Sequence, residues 1–171
     1  DSTFGLFPLE LEITKRKMKV HIEQGTPDKA SHIASLVMEA MNPECCQNFA
    51  GPHHTLVDFH QMMERLIKMD DSQYSYLNTM VATNSEGIIT GILVAYDGAK
   101  LKELRRQFIK EAIVSFGIDY SAMDAETEGG EFYIDSLAVS SNFRGKGIAK
   151  QLLAAAIEKA RELGIPKVGL L

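Results

Sequence analysis

The sequence predicts an α+β protein, layered α/β/α, in which helices cover both faces of a mixed, mostly antiparallel sheet. Short apolar segments alternate along the chain with longer ones whose apolar residues recur every three or four positions. A hairpin is indicated around the polar turn at residues 84–87. Near the end, a strand, a long helix and another strand follow one another, which implies a parallel strand pair with a right-handed crossover.

The composition is typical of a soluble enzyme with one core. The chain has 171 residues, of which 45% are hydrophobic, and a net charge of −5. The negative charge argues against a nucleic-acid partner. No apolar run approaches the roughly 20 residues that span a bilayer, and the apolar residues before Pro8 are too few for a secretory signal. We therefore expect a cytoplasmic protein that binds no membrane.

The first half of the chain predicts one strand followed by two helices. The strand is expected at Val20–Glu23. Thr26 and Pro27 supply the cap and first turn of a helix that stops before Pro43. A polar loop, NPECCQNFAGPHH, then leads to Thr55, which can cap the second helix.

The middle of the chain predicts a hairpin and an extra helix. The hairpin strands are expected at Tyr76–Thr83 and Ile88–Tyr96, and the second is apolar on both faces, which indicates a central position. Residues 100–116 have helical spacing, with Arg105 among the charges expected to point outward, and Gly117 ends the helix. An acidic loop follows, with Asp119, Asp124, Glu126 and Glu128.

The two cysteines, Cys45 and Cys46, are adjacent, and neighbouring cysteines rarely form a disulfide with each other. Reduced thiols are expected. A metal site made from these thiols with His53, His54 and His60 would match no usual zinc spacing, so we expect no metal.

The strongest functional signal lies in residues 132–164, which predict a strand, a short polar loop and a long amphipathic helix. The loop reads Arg144-Gly145-Lys146-Gly147. A helix start exposes unpaired N–H groups with partial positive charge, and glycines let a ligand approach them, so the segment suits a phosphate. A P-loop, G-x-x-x-x-G-K-[ST], does not occur, and a dinucleotide fingerprint would need glycine where Lys150 stands.

The loop instead fits R-x-x-G-x-A through Arg144, Gly147 and Ala149. This pattern resembles the acetyl-CoA pyrophosphate loop of the GNAT superfamily of N-acetyltransferases. A register that begins two residues earlier, at Asn142, describes the same loop. The resemblance is strong over residues 131–171 and rests on element order upstream.

The resemblance implies a GNAT-like fold, with a splayed parallel strand pair at its centre that admits the pantetheine arm of acetyl-CoA. The side chain of Arg144 would either pair with a phosphate or anchor the loop to an acidic residue. The implied cofactor-binding residues are Leu137, Ala138 and Val139 for the pantetheine, and Arg144, Gly145, Lys146, Gly147, Ile148, Ala149 and Lys150 for the pyrophosphate.

Transfer to an amine needs a base, because a protonated amine has no lone pair. Glu131 and Asp135 are four residues apart on the predicted strand, so both are expected on one face with Tyr133 and Leu137. Histone-type members of the family place a carboxylate at the position that matches Glu131, and polyamine-type members at the position that matches Asp135. The two remain alternative catalytic residues.

Residues 1–17 are interpreted as an N-terminal extension and residues 18–171 as the GNAT-like domain, with a helical insertion at about 98–130. The family normally continues beyond the strand that begins at Val168 with another helix and two strands. We therefore expect the C-terminal part of the fold to be missing from this chain.

The predicted enzyme is an N-acetyltransferase that moves an acetyl group from acetyl-CoA to a primary amine of a small molecule or protein, by direct transfer in a ternary complex. The alternative is a non-catalytic GNAT-like module that binds CoA or a partner protein. A homodimer is compatible with the family. The acidic stretch 119–128 would attract a cationic amine or serve as a solvated linker. Other expected pocket residues are Glu44, Phe49, His53, His54, Tyr74 and Tyr76.

Overall fold

The computed structural model describes residues 16–170, which form a five-stranded sheet with helices on both faces. Expectations for residues 1–15 lie outside the described residues. No helix among the described residues is both long enough and apolar enough to cross a membrane. The elements are β1 (His21–Gln24), α1 (Ala30–Met41), α2 (Pro43–Ala50), α3 (Leu56–Lys68), β2 (Thr79–Thr83), β3 (Ile89–Asp97), α4 (Leu101–Phe116), β4 (Glu131–Val139), α5 (Ile148–Glu162) and β5 (Lys167–Leu170).

The strands lie in the sheet in their chain order, β1-β2-β3-β4-β5. Neighbours from β1 to β4 are antiparallel, whereas β4 and β5 are parallel and pair from Glu131–Lys167 to Ile134–Leu170. Helix α5 connects the parallel pair, as a crossover must. The predicted mixed, mostly antiparallel sheet is confirmed.

Each face of the sheet has its own hydrophobic core. On one face, α1 to α4 surround buried side chains such as Phe59, Leu66 and Ile92. On the other face, α5 packs through Leu152 against strand residues that include Ile134. Because both faces of β3 are covered, its side chains are buried almost throughout, and the predicted central position of this strand is confirmed.

The prediction of a polar loop before Thr55 was wrong, because this segment contains helix α2. Pro43 occupies the first turn, where its missing N–H leaves no hydrogen bond unmade. Asn42 caps the helix by accepting the Cys45 N–H at 2.9 Å, with a φ of 71°. Cys46 and Ala50 are buried. Eight residues are too few for a clear apolar period, so the helix depends on its cap and its neighbours.

Two further expectations were wrong. The first hairpin strand begins at Thr79 rather than Tyr76, because a single helical turn occupies 76–78 and Ser75 caps it through the Leu77 N–H. Arg105 points inward and is only 6% exposed. The loop after α4 folds back over the helix and supplies the oxygens that its guanidinium needs.

Strand β4 contains a β-bulge at Asp135. Ser136 pairs with Val94 and Ile134 pairs with Ala95, so Asp135 is the extra residue between them. A bulge re-aims the side chains that follow it. Leu137 therefore packs on the α5 face of the sheet, and the expectation that it shares a face with Asp135 was wrong.

Gly91 in β3 is expected to tolerate no side chain. A Cβ there would lie 2.9 Å from the Ala138 carbonyl oxygen, so the β3–β4 pair would have to move. We expect Gly91→Ala to lower the free energy of unfolding by about 1–3 kcal/mol, as overpacking does, measured by urea denaturation. Gly129→Ala is the control, because its Cβ would meet nothing closer than 3.6 Å. Equal stability of the two variants would contradict this prediction.

Candidate active site

The loop from Ser140 to Gly147 joins β4 to α5 and is anchored at both ends. The Ser140 N–H donates to the Thr90 carbonyl at 2.8 Å. Gly145 and Gly147 have φ values of 75° and 78°, in the left-handed region that glycine adopts without steric cost. These two glycines therefore set the path of the backbone into the helix.

The backbone N–H groups of residues 145–150 are free to bind a ligand. Within residues 16–170 none of them donates to a protein acceptor, and the first N–H with a partner is that of Gln151, which donates to the Gly147 carbonyl at 3.3 Å. The 15-residue helix α5 adds the positive end of its dipole at this point. Consecutive free N–H groups at a helix start form a concave site for an anion.

Arg144 holds the loop in place. Its Nε donates to the Val139 carbonyl at 3.0 Å, and its guanidinium lies 3.5 Å from the Glu39 carboxylate. The side chain is nevertheless 63% exposed. The guanidinium can therefore also reach an anion that is bound at the loop.

Sequence reasoning missed the contribution of residues 16–20, which lie against the loop. The Met18 N–H donates to the Lys146 carbonyl at 3.0 Å. The Gln151 side chain donates to the Met18 carbonyl at 2.7 Å and accepts the Val20 N–H at 3.2 Å. The sequence contains no local signal for this long-range contact. Residues 17–19 and the start of α5 border a cavity of about 320 Å³. Its lining is Lys17, Met18, Lys19, Gly147, Lys150, Gln151 and Ala154.

A second cavity, which we call the acceptor cavity, lies on the opposite face of the sheet among α1, α2, α4 and the loop that follows α4. Its volume is about 410 Å³. Of the pocket residues expected from the sequence, Phe49 and Tyr74 line it, whereas Glu44, His53, His54 and Tyr76 do not. The full lining is Met41, Cys45, Phe49, Gln73, Tyr74, Arg105, Phe108, Met123, Glu126, Tyr133 and Asp135.

Asp135 is held in the acceptor cavity by hydrogen bonds. Its Oδ2 accepts from the Tyr96 hydroxyl at 2.6 Å and from the Gln73 amide at 2.8 Å. Among residues 16–170, its Oδ1 has only the Ser136 hydroxyl as a partner, at 3.3 Å. Burial raises the pKa of Asp135 above the usual carboxyl value, although the hydrogen bonds from Tyr96 and Gln73 oppose that rise. The bulge and these two partners fix one carboxylate in the cavity.

Glu126 is the one acidic residue of the stretch 119–128 that lines the acceptor cavity. Both of its oxygens are engaged, because Arg105 donates to Oε1 at 3.2 Å and Tyr133 donates to Oε2 at 2.8 Å. Arg105 also donates to the Asp124 carbonyl at 2.8 Å. Charge and hydrogen bonds thus fasten the loop to α4 and β4.

Glu131, the other predicted base, lies outside the acceptor cavity. Its carboxylate accepts a hydrogen bond from the Thr127 hydroxyl and lies over Gly169 of β5, where a Cβ would meet it. The structure therefore separates the two candidate bases. Asp135 lines the acceptor cavity, and Glu131 packs at the junction of β4 and β5.

The comparisons with known proteins agree with this architecture. Residues 111–171 match the model of the acetyltransferase (GNAT) family. No curated protein gives a significant match.

Similar solved structures include several acetyltransferases. One described as an acetyltransferase is 24% identical, with a TM-score of 0.71 and coverage of 88% of this chain and 79% of its own. An N-acetyltransferase from Staphylococcus aureus is 22% identical, with a TM-score of 0.65 and coverage of 81% and 75%. The aminoglycoside N-acetyltransferase AAC(6')-Iy, solved in complex with CoA, is 16% identical, with a TM-score of 0.51 and coverage of 91% and 78%. At these identities the likeness shows the fold.

Arg105 is expected to stabilise the wall of the acceptor cavity. The variant Arg105→Met keeps the apolar stem but leaves the Glu126 Oε1 and the Asp124 carbonyl without the donor that Arg105 provides. We expect a loss of about 1–3 kcal/mol in the free energy of unfolding and faster proteolysis within residues 118–130. The matched control is Arg106→Met, which changes an exposed neighbour on the same helix. Similar behaviour of both variants would show that the buried network is not what holds the loop.

Proposed function

We propose that this chain is a GNAT acetyltransferase that transfers an acetyl group from acetyl-CoA to a primary amine, a proposal supported by the family match over residues 111–171 and by the likeness of the fold. One observation carries the proposal. Asp135, on β4, lines the acceptor cavity, and the same strand leads from Val139 into the loop of free N–H groups. Four residues of extended chain span about 13 Å, so one strand connects an acceptor site to an anion site.

The loop residues fit the pyrophosphate of acetyl-CoA. Free N–H groups from Gly145 to Lys150 provide donors for phosphate oxygens, and Gly145 and Gly147 leave room for them. We propose that Lys17, Lys19 and Lys150, which line the adjoining cavity, neutralise the remaining phosphate charge. We further propose that the main chain of Leu137, Ala138 and Val139 binds the pantetheine arm.

Asp135 is the proposed base. Acetyl-CoA would supply a thioester carbonyl for attack by the amine's lone pair: the C–N bond forms, the C–S bond breaks, and CoA leaves as the thiol with the second proton of the nitrogen. The incoming ammonium must first lose a proton, and Asp135 lines the cavity with an Oδ1 that has one weak partner among the described residues. A pKa raised by burial brings the carboxylate closer to the working pH of a base. Holding both reactants next to β4 lowers the entropic barrier of direct transfer.

The proposed role of the loop in acetyl-CoA binding is tested with two glycine variants, one just before α5 and one just after it. Gly147→Ala and Gly164→Ala each force alanine into a left-handed conformation, at φ values of 78° and 69°, so a similar loss of stability is expected from both. Only Gly147 lies in the anion site. We expect Gly147→Ala to weaken acetyl-CoA binding about tenfold, or about 1.4 kcal/mol, in calorimetric titration, and Gly164→Ala to leave it unchanged. An absence of acetyl-CoA binding by the folded native protein would show that the loop is only structural.

The base assignment is tested by comparing Asp135→Asn with Glu131→Gln. We expect Asp135→Asn to lower kcat by about 10²–10⁴-fold, because an amide cannot take the proton of the incoming ammonium. Glu131→Gln should change kcat only severalfold. A greater loss in Glu131→Gln would assign the base to Glu131.

The pH profile of the native enzyme adds a second measurement. A base must be deprotonated, so the acidic limb of kcat/KM should lie above the usual carboxyl range, because burial and the neighbouring Glu126 raise the pKa of Asp135. The limb should be absent from the residual activity of Asp135→Asn. Retention of the same limb in that variant would contradict the assignment.

A further inference from the structure

We infer that the acceptor cavity takes a small primary monoamine with an aromatic or bulky apolar body. The inference rests on the proposed function and names the acceptor of the same site. It follows from the charge of the cavity, from one unpartnered hydroxyl and from the apolar lining, which are independent observations.

The charges in the cavity favour a single cationic group. Asp135, Glu126 and Arg105 are the charged residues that line it. Glu126 has both oxygens occupied by Arg105 and Tyr133, so its charge is compensated locally. The carboxylate of Asp135 has no cation beside it among the described residues. One ammonium group balances this charge, whereas a second ammonium would lie near the guanidinium of Arg105.

The hydroxyl of Tyr74 is positioned for a ligand. The residue is 6% exposed and lines the cavity, and its hydroxyl has no hydrogen-bond partner in the described part of the chain. Burial, with a contribution from Asp135, raises the pKa of Tyr74 well above the usual tyrosine value, so the group remains a neutral hydroxyl. An ammonium group has three N–H donors. Asp135 and the Tyr74 oxygen together provide two acceptors for them.

The rest of the lining is apolar and suits a compact body. Phe49 and Phe108 meet edge to face with ring centroids 5.5 Å apart, and methionine thioethers adapt to the shape of a guest. The volume of about 410 Å³ is near the lower end of the range for small-molecule sites, roughly 300–1,000 Å³. Helix α4 and its loop contribute Phe108 and Met123 to the lining. Because the lining comes from α1, α2, α4, the loop after α4 and β4, it contacts a ligand on several sides, which favours a small molecule over a lysine on a folded protein.

The test compares three acceptors with acetyl-CoA in steady-state kinetics: 2-phenylethylamine, spermidine and a short lysine-containing peptide. We expect kcat/KM to be at least about tenfold higher for 2-phenylethylamine, the difference that 1.4 kcal/mol of selective binding gives. In Tyr74→Phe, the KM for 2-phenylethylamine should rise about tenfold, as expected for loss of a hydrogen bond to a charged group. The KM for acetyl-CoA should not change.

The control variant is Tyr76→Phe, because the Tyr76 hydroxyl donates to Asp70 at 2.7 Å and lies outside the acceptor cavity. It should match the native enzyme with all three acceptors. A preference for spermidine or the peptide would overturn the inference while leaving the proposed function intact, as would equal effects of the two tyrosine variants.

Failure of the proposed function has a different signature, namely bound acetyl-CoA with no amine acetylated. The acceptor cavity is then tested by saturation-transfer NMR with 2-phenylethylamine and the CoA-loaded protein. Signal that is lost in Tyr74→Phe and kept in Tyr76→Phe would support the inference. An absence of signal from the native protein would overturn it.

Discussion

The bulge in β4 is the constraint on which the site depends. One extra residue between two ladder pairs carries Asp135 into the acceptor cavity and moves Leu137 to the opposite face. A buried carboxylate is expensive unless it is hydrogen-bonded, and Tyr96 on β3 and Gln73 before β2 provide those bonds. The strand pairing, the cavity and the proposed chemistry are therefore coupled at a single position.

Helix α4 has two roles that share one network. Its apolar side packs in the core beside α3, and its charged Arg105 is buried to hold the loop that follows. Removing a guanidinium from water is unfavourable, and the structure offsets this with the Asp124 carbonyl and the Glu126 carboxylate. The same contacts close one wall of the acceptor cavity. The proposed choice of acceptor thus depends on a segment that lies outside the glycine loop.

Much of the fold could be predicted from the sequence because its signals are local. The hairpin, the long helix after the glycine loop and the parallel pair all follow from short-range apolar patterns, turn residues and chain connectivity. Helix α2 could not be predicted in this way, because its stability comes from the Asn42 cap and from packing against its neighbours. The sequence pattern predicts Arg105 at the surface for a similar reason. Its hydrogen-bond acceptors come from a loop about 20 residues later in the chain.

The sequence by itself determined the glycine loop and the helix that follows it, since both depend on backbone conformations and N–H groups within a few residues of one another. It also provided Glu131 and Asp135 as the two candidates for the proposed base. Only the tertiary structure separated those two, because a bulge is set by pairing between strands and a cavity by elements distant in the chain. The same reason applies to the contact of residues 16–20 with the loop. The Gln151 side chain donates to the Met18 carbonyl and accepts the Val20 N–H, so it joins two segments that are more than 100 residues apart in the chain.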